Sequence, residues 1–201
     1  MISKISKHIA LIEQIDKCNN CKLTNLCQHR CPGLGNLNSK VMFIGEAPGR
    51  VENPELRGLP FVGNRSSDLM LDIYEEYFNG YDNVFTTNVV KCNPPNNRTP
   101  LPDEIKACSK FLIKELELVK PKLIVCLGRT AANWFGIREA LNTAFYREYK
   151  WESTLVYATF HPSYILRFGT RVLSSYKNKF RLLKEKVDKV WEDTKSYHVA
   201  V

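Results

Sequence analysis

Four short runs rich in β-branched and aromatic residues are spread along the chain: "VMFIG" (41–45), "NVFTTNVV" (83–90), "KLIVCLG" (122–128) and "TLVYATF" (154–160). Nearly continuous apolar runs of this length suit strands buried on both faces, because an exposed face would show a polar residue at every second position. Between them lie helical patterns: "SSDLMLDIYEEYF" after Asn64, a stretch from Pro102 to Val119 whose proline suits a first turn, and "RTAANWFG" after the third run. This alternation predicts an α/β fold, with three αβα layers around a central, mostly parallel, four-stranded sheet.

The chain is 201 residues long and 44% apolar, enough for one domain spanning 1–201 with a substantial core. Residues 4–16 place Ile5, Ile9, Ile12 and Ile15 at helical spacing, which predicts an amphipathic helix leading into a cysteine-rich segment. A basic helix over about 174–192 carries Tyr176, Phe180, Leu183 and Val187 on one face, as core packing requires. No apolar run reaches the roughly 18 residues that span a bilayer, and "MISKISKHIA" lacks the apolar centre of a secretory signal, so a cytoplasmic protein without membrane contact is expected. The formal net charge of +8 suits a polyanionic partner, because neutralising phosphates releases condensed counterions.

Seven cysteines in a reducing compartment point to metal ligation or free thiols ahead of disulfides. Cys18 and Cys21 form a CxxC, which puts two thiolates on one turn; Cys92 and Cys108 are separated by a loop that can fold back and join their sulfurs. Spacing alone also permits a local zinc site, since "CNNCKLTNLCQHRC" adds Cys27, His29 and Cys31. Cys126 lies within a strand and reads as a small buried hydrophobe.

Taken in order, "CNNC", "PGLGN", "GEAPG", "GLPFVG", "TNVVKCNPPNNRTPLPDE", "LGRTAANWF" and "HPSYILR" resemble the family 4 uracil-DNA glycosylases, the type that carries an iron–sulfur cluster. The likeness runs from about Cys18 to Arg167. It implies a [4Fe–4S] cluster of structural role on Cys18, Cys21, Cys92 and Cys108, with Cys27 and Cys31 outside the ligand set. It also implies a monomeric, monofunctional hydrolase of N-glycosyl bonds that flips uracil out of single- or double-stranded DNA and leaves an abasic site.

Cleavage of the N-glycosidic bond builds positive charge on the deoxyribose and negative charge on the departing base, so the site needs charge on both sides. By resemblance, Glu46 of "GEAPG" lies under the sugar and orients or deprotonates water, and His161 of "HPSY" donates to uracil O2. Asn88 offers one donor and one acceptor to the uracil edge, Phe61 stacks on the ring, and backbone groups of Gly45 and Ala47 complete the pocket. Thymine differs from uracil only by a methyl group, so its rejection is steric, near Glu46–Gly49 or Phe61. The segment "HPSYILRFGTR" resembles a loop that wedges into DNA, with Tyr164, Ile165 or Leu166 filling the vacated stack, Arg167 on a phosphate and Arg98 and Arg171 as further backbone contacts.

Plain alternatives stand beside these roles: a turn hydrogen bond for Glu46, a structural His161, an edge-strand amide for Asn88 and a core ring for Phe61. The loop "RVENPELR" is longer than the family's usual one and has Asn53 where an acidic residue commonly follows. "CNPPNNRTP" has no histidine, which argues against the covalent capture of the sugar that some relatives perform. A non-catalytic DNA-binding protein on the same scaffold, or a glycosylase for another deaminated or modified base, are the competing functions. A generic nucleotide-binding protein fits less well, because "GEAPG" lacks the glycine spacing and lysine of a phosphate loop.

Overall fold

The computed structural model describes residues 3–27, 29–49, 60, 61 and 63–196. The 50–57 loop, with Glu52 and Asn53, and the Arg171 side chain lie outside that description. Four strands pair in parallel at the centre of the sheet: β2 (Val41–Gly45), β3 (Val84–Asn88), β4 (Leu123–Leu127) and β6 (Thr154–Thr159). Two short antiparallel strands flank them, β1 (Leu34–Gly35) and β5 (Tyr149–Trp151), giving the order β1-β3-β2-β4-β6-β5. The four long strands match the apolar runs. The edge strands escape sequence reading because two or three residues cannot display a period of two.

Both faces of the parallel strands are buried. Met42, Ile44, Phe85, Ile124 and Cys126 pack towards α1 (Lys4–Asp16), α3 (Pro102–Val119), α4 (Arg129–Trp134) and α5 (Leu141–Ala144). Val41, Phe43, Val84, Val125 and Leu127 pack towards α2 (Arg65–Phe78), α6 (Pro162–Phe168) and α7 (Thr170–Ser196). Tyr176, Phe180, Leu183 and Val187 are buried along α7, as their spacing predicts. Among the described residues no helix is long and apolar enough to cross a membrane.

The N-terminal helix docks by a different face from the one its isoleucines suggest. Ile5 and Ile9 are 65% and 52% exposed, whereas Leu11 and Ile15 are buried. Lys4 Nζ donates to the Leu37 carbonyl at 2.9 Å and the His8 ring bonds the Gly33 carbonyl at 2.9 Å. The inward stripe is therefore Lys4, His8, Leu11 and Ile15, a helical spacing whose first half satisfies loop carbonyls instead of burying aliphatic surface.

α3 carries Cys108 and Glu115, and its start is tied by Glu104. That carboxylate accepts from the Leu101 amide at 2.7 Å and takes both ends of the Arg98 guanidinium, at 2.9 and 2.6 Å. Arg98 thus braces a helix terminus. The Arg98 hydrogen bonds hold the Glu104 carboxyl below its ordinary value of 4.5, so the stabilisation is complete above that value and is lost as pH falls below it. Glu104→Gln is expected to cost about 1–2 kcal/mol at pH 7. In thermal melts across pH, the gap between the two proteins should close on acidification.

Candidate active site

The register of the sheet brings the sequence-predicted residues to one edge. Gly45 pairs with Asn88, and Leu127 pairs with Thr159, so β2, β3, β4 and β6 end together. Glu46 follows β2, Asn88 ends β3, Gly128 and Thr130 follow β4, and His161 follows β6. From β2 the chain crosses to β3 on one side and later to β4 on the other. Glu46 therefore stands at the switch point where open parallel sheets form their crevice.

Glu46 is half-buried. Its Oε2 accepts a short hydrogen bond from Thr130 Oγ1, and its carbonyl accepts from the Val90 amide at 3.0 Å, so side chain and backbone are both pinned across the crevice. Thr130 is a positioning group the sequence reading missed. The signal available was its place just after a strand beside β2.

Gly45 explains the close packing here. A methyl on its Cα would lie 2.4 Å from Asn88 Oδ1 and 2.7 Å from Phe61 Cζ, inside any tolerable contact. The Asn88 amide and the Phe61 ring thus both lie against the Gly45 backbone. The Gly45 carbonyl is used by the Val89 amide at 2.9 Å. Ala47, beyond Glu46, is half-buried against the α1–α3 side of the core. Phe61 holds φ at +53°, a left-handed conformation costly for a phenylalanine, and its ring lies 6.2 Å from the His161 ring at 28°.

His161 caps α6. Its Nδ1 accepts from the Ser163 amide at 3.2 Å and bonds Ser163 Oγ at 2.8 Å. A neutral ring accepting at Nδ1 carries its proton on Nε2. Burial pushes the His161 pKa down from 6.5 to about 4, so the ring is neutral at physiological pH and offers one N–H. Gly128 lets it approach: with φ at +97°, a Cβ there would meet His161 Cβ at 3.3 Å.

α6 requires one correction to the sequence reading. Ile165 is 1% exposed and packs with Tyr176 and Phe180 in the core, which removes it from the DNA-contacting set. Leu166 is half-buried and Arg167 exposed. The exposed apolar side chains are Tyr164 at 42% and Phe168 at 56%. They continue a stack from Phe160, with ring centroids 4.7 and 4.6 Å apart.

A second pocket is lined by Cys18, Cys21, Cys92 and Cys108 together with Ile15 and Phe111. The Lys91 amide donates to Cys108 Sγ at 3.2 Å and Asn20 Nδ2 to Cys18 Sγ at 3.0 Å, contacts that suit sulfurs carrying negative charge. Burial pushes the Cys108 thiol up to about 11 and raises Cys92 further. Thiolates at Cys92 and Cys108 would therefore need a compensating cationic centre. Cys31 is buried apart, near Lys91 and Glu115, so the local zinc alternative loses one of its ligands. Among the described residues no three His, Cys, Asp or Glu side chains converge as a single ion requires. Cys27 lies beside Cys92.

A profile of the uracil DNA glycosylase superfamily matches residues 32–195. The chain is 36% identical over 184 residues to a type-4 uracil-DNA glycosylase of Saccharolobus solfataricus, covering 87% of this chain and 84% of that protein. It is 33% identical over 184 residues to the type-4 enzyme of Archaeoglobus fulgidus, covering 87% and 90%. To that of Thermotoga maritima it is 39% identical over 158 residues, covering 77% and 81%. The chain belongs to the type-4 uracil-DNA glycosylases of the uracil DNA glycosylase superfamily.

Proposed function

We propose that this protein removes uracil from DNA by hydrolysing its N-glycosidic bond, with Glu46 and His161 as the catalytic pair. The observation that carries the reading is the position of the Phe61 ring. It lies against Gly45 beside Asn88 on one side and 6.2 Å from the His161 ring on the other, which supports one shared crevice next to Glu46, the residue that follows Gly45.

In this reading, the flipped uracil lies against Phe61 with its edge on the Asn88 amide. As the bond to the sugar lengthens, negative charge grows on the base and the Nε2–H of neutral His161 donates to it. Positive charge grows on the deoxyribose, where the Glu46 carboxylate, oriented by Thr130, stabilises it and directs the attacking water. One water adds across the broken bond: hydroxyl to the sugar, proton to uracil. Lys91, buried behind Asn88, has all three N–H donors committed and offers no free amine, which suits hydrolysis without a lyase step.

Exposed Tyr164 and Phe168 and half-buried Leu166 are proposed to meet the DNA, with Arg167 on a phosphate. Every group named comes from one chain, so a monomer suffices, and the cytoplasm is the proposed compartment. Cys18, Cys21, Cys92 and Cys108 are the proposed ligands of a [4Fe–4S] centre. When bound it supplies a cross-link between α1's end, β3's end and α3.

Glu46→Gln and His161→Ala are each expected to lower single-turnover uracil release by about 10²-fold or more, with binding to uracil DNA retained. Release unchanged in both variants would remove the assignment. Thr130→Val should lose about ten-fold in kcat with KM little changed, and Thr130→Ser should recover most of it.

The depressed His161 pKa fixes the sign of two pH effects. Release should hold steady through the neutral range and fall as pH drops through about 4. The buried neutral ring is a stabilising element present above 6.5, the ordinary value, and lost as pH falls from there towards about 4, because only the unfolded chain binds the proton in that window. His161→Ala should flatten that part of the stability profile in thermal melts.

A further inference from the structure

We propose that the buried Lys91–Glu115 ion pair is the positioning device for Asn88, and through it for recognition of the uracil edge. This rests on the reading of Asn88 given above and goes beyond it. The pair is almost entirely enclosed: the two side chains are 1% and 0% exposed, 2.6 Å apart. Burying two charges costs several kcal/mol per ion before any attraction is counted, and apolar residues of similar volume often do as well. Stability alone is therefore a poor reason for this arrangement.

Its geometry supplies a better one. Lys91 Nζ spends its three donors on Glu115 Oε2, Thr87 Oγ1 and the Asn88 carbonyl, each at 2.6 Å. Asn88 is the last residue of β3, beyond the reach of β1, which pairs only with Thr86 and Phe85. The ammonium holds the carbonyl there while the Val89 amide of the same peptide bonds the Gly45 carbonyl at 2.9 Å, so the plane that leads out of the strand is held at both ends. That plane is anchored to the Cα from which the Asn88 side chain reaches Gly45.

Glu115 anchors the ammonium from α3. Its Oε1 accepts from the Gly33 amide at 2.8 Å, and its Oε2 also accepts from Thr87 Oγ1 at 2.7 Å. The carboxylate, the ammonium and the threonine hydroxyl thus form a closed network. α3, the "PGLGN" turn and the end of β3 meet in it. The Lys91 backbone extends the tie in both directions, with its amide on Cys108 Sγ and its carbonyl on the Cys31 amide at 2.7 Å. A charge-assisted network without a free donor resists rotation more than aliphatic packing does, and an amide that reads a base edge needs that resistance.

The test is a double-mutant cycle on holoprotein between the pair variant Lys91→Met/Glu115→Leu and Asn88→Ala. Removing both charges together avoids stranding one of them. The readouts are the inhibition constant of free uracil, the KM and kcat on a uracil oligonucleotide, and bound iron. The pair variant is expected to keep its iron and most of its kcat. It should weaken inhibition by uracil, and raise KM, by about ten-fold, one charge-assisted hydrogen bond's worth. In the Asn88→Ala background the same change should add almost nothing.

Full additivity of the two effects, or wild-type uracil inhibition in the pair variant, would overturn the positioning role and leave the reading of Asn88 standing. Wild-type inhibition in Asn88→Ala itself would overturn both. Should the pair variant lose iron or fail to fold, Lys91→Met/Glu115→Gln carries the same comparison, because it also removes both charges together while the glutamine oxygen still accepts from the Gly33 amide and its NH2 donates to Thr87 Oγ1.

Discussion

The pairing of β2 between β3 and β4 is the constraint from which the site follows. Because Gly45 is registered opposite Asn88 and Ile44 opposite Cys126, the chain leaves these strands at one height and on one edge. A slip of one residue would turn every side chain to the opposite layer, moving Met42 and Ile44 out of one core and Val41 and Phe43 out of the other. Two buried faces forbid that slip. The hydrophobic effect thus sets the register, and the register sets which polar residues meet in the crevice. Glycine at 45 is the local condition for the meeting, since any side chain there would displace the Asn88 amide or the Phe61 ring.

The two groups proposed for catalysis are prepared by opposite means. Glu46 sits half-buried at the switch point, held by a hydroxyl from the next strand's loop. His161 is buried enough to lose its charge and keeps its one useful proton by accepting a hydrogen bond at the other nitrogen. In the proposed reaction a cation at His161 would bind the departing base more strongly, yet it would also repel the positive charge growing on the sugar. A neutral donor would stabilise the base without that repulsion, leaving Glu46 as the charge the sugar faces.

The four long strands were legible because burial on both faces leaves a local mark, a run of β-branched and aromatic residues. The helices after Asn64 and from Pro102 carried start signals as well. What the sequence hid was contact between distant residues. Isoleucines at 5, 9, 12 and 15 looked like an inward stripe, but Lys4 and His8 found loop carbonyls and turned the helix. Ile165 looked like a wedge beside Tyr164, yet the turn of α6 puts it in the core. Thr130 bonds a carboxylate 84 positions away and Lys91 one 24 away, and no short motif advertises either partner. The cysteine pairs were legible as pairs; their convergence on one pocket depends on α3 folding back beside the end of β3.

That convergence bears on the crevice through a very short tether. Asn88 ends β3, Lys91 reaches back to its carbonyl, and Cys92 follows at once. Three residues, 89 to 91, separate the amide that faces Gly45 from the first thiol of the second pocket. Across that span the amides of Val89 and Val90 bond the carbonyls of Gly45 and Glu46, so the segment runs alongside the turn that carries Glu46. A displacement at Cys92 or Cys108 has little slack in which to dissipate before it reaches Asn88. Close-packed interiors transmit such shifts instead of absorbing them. If the thiols hold the proposed cross-link and Asn88 reads the base, residues 89 to 91 are the path by which the one would act on the other.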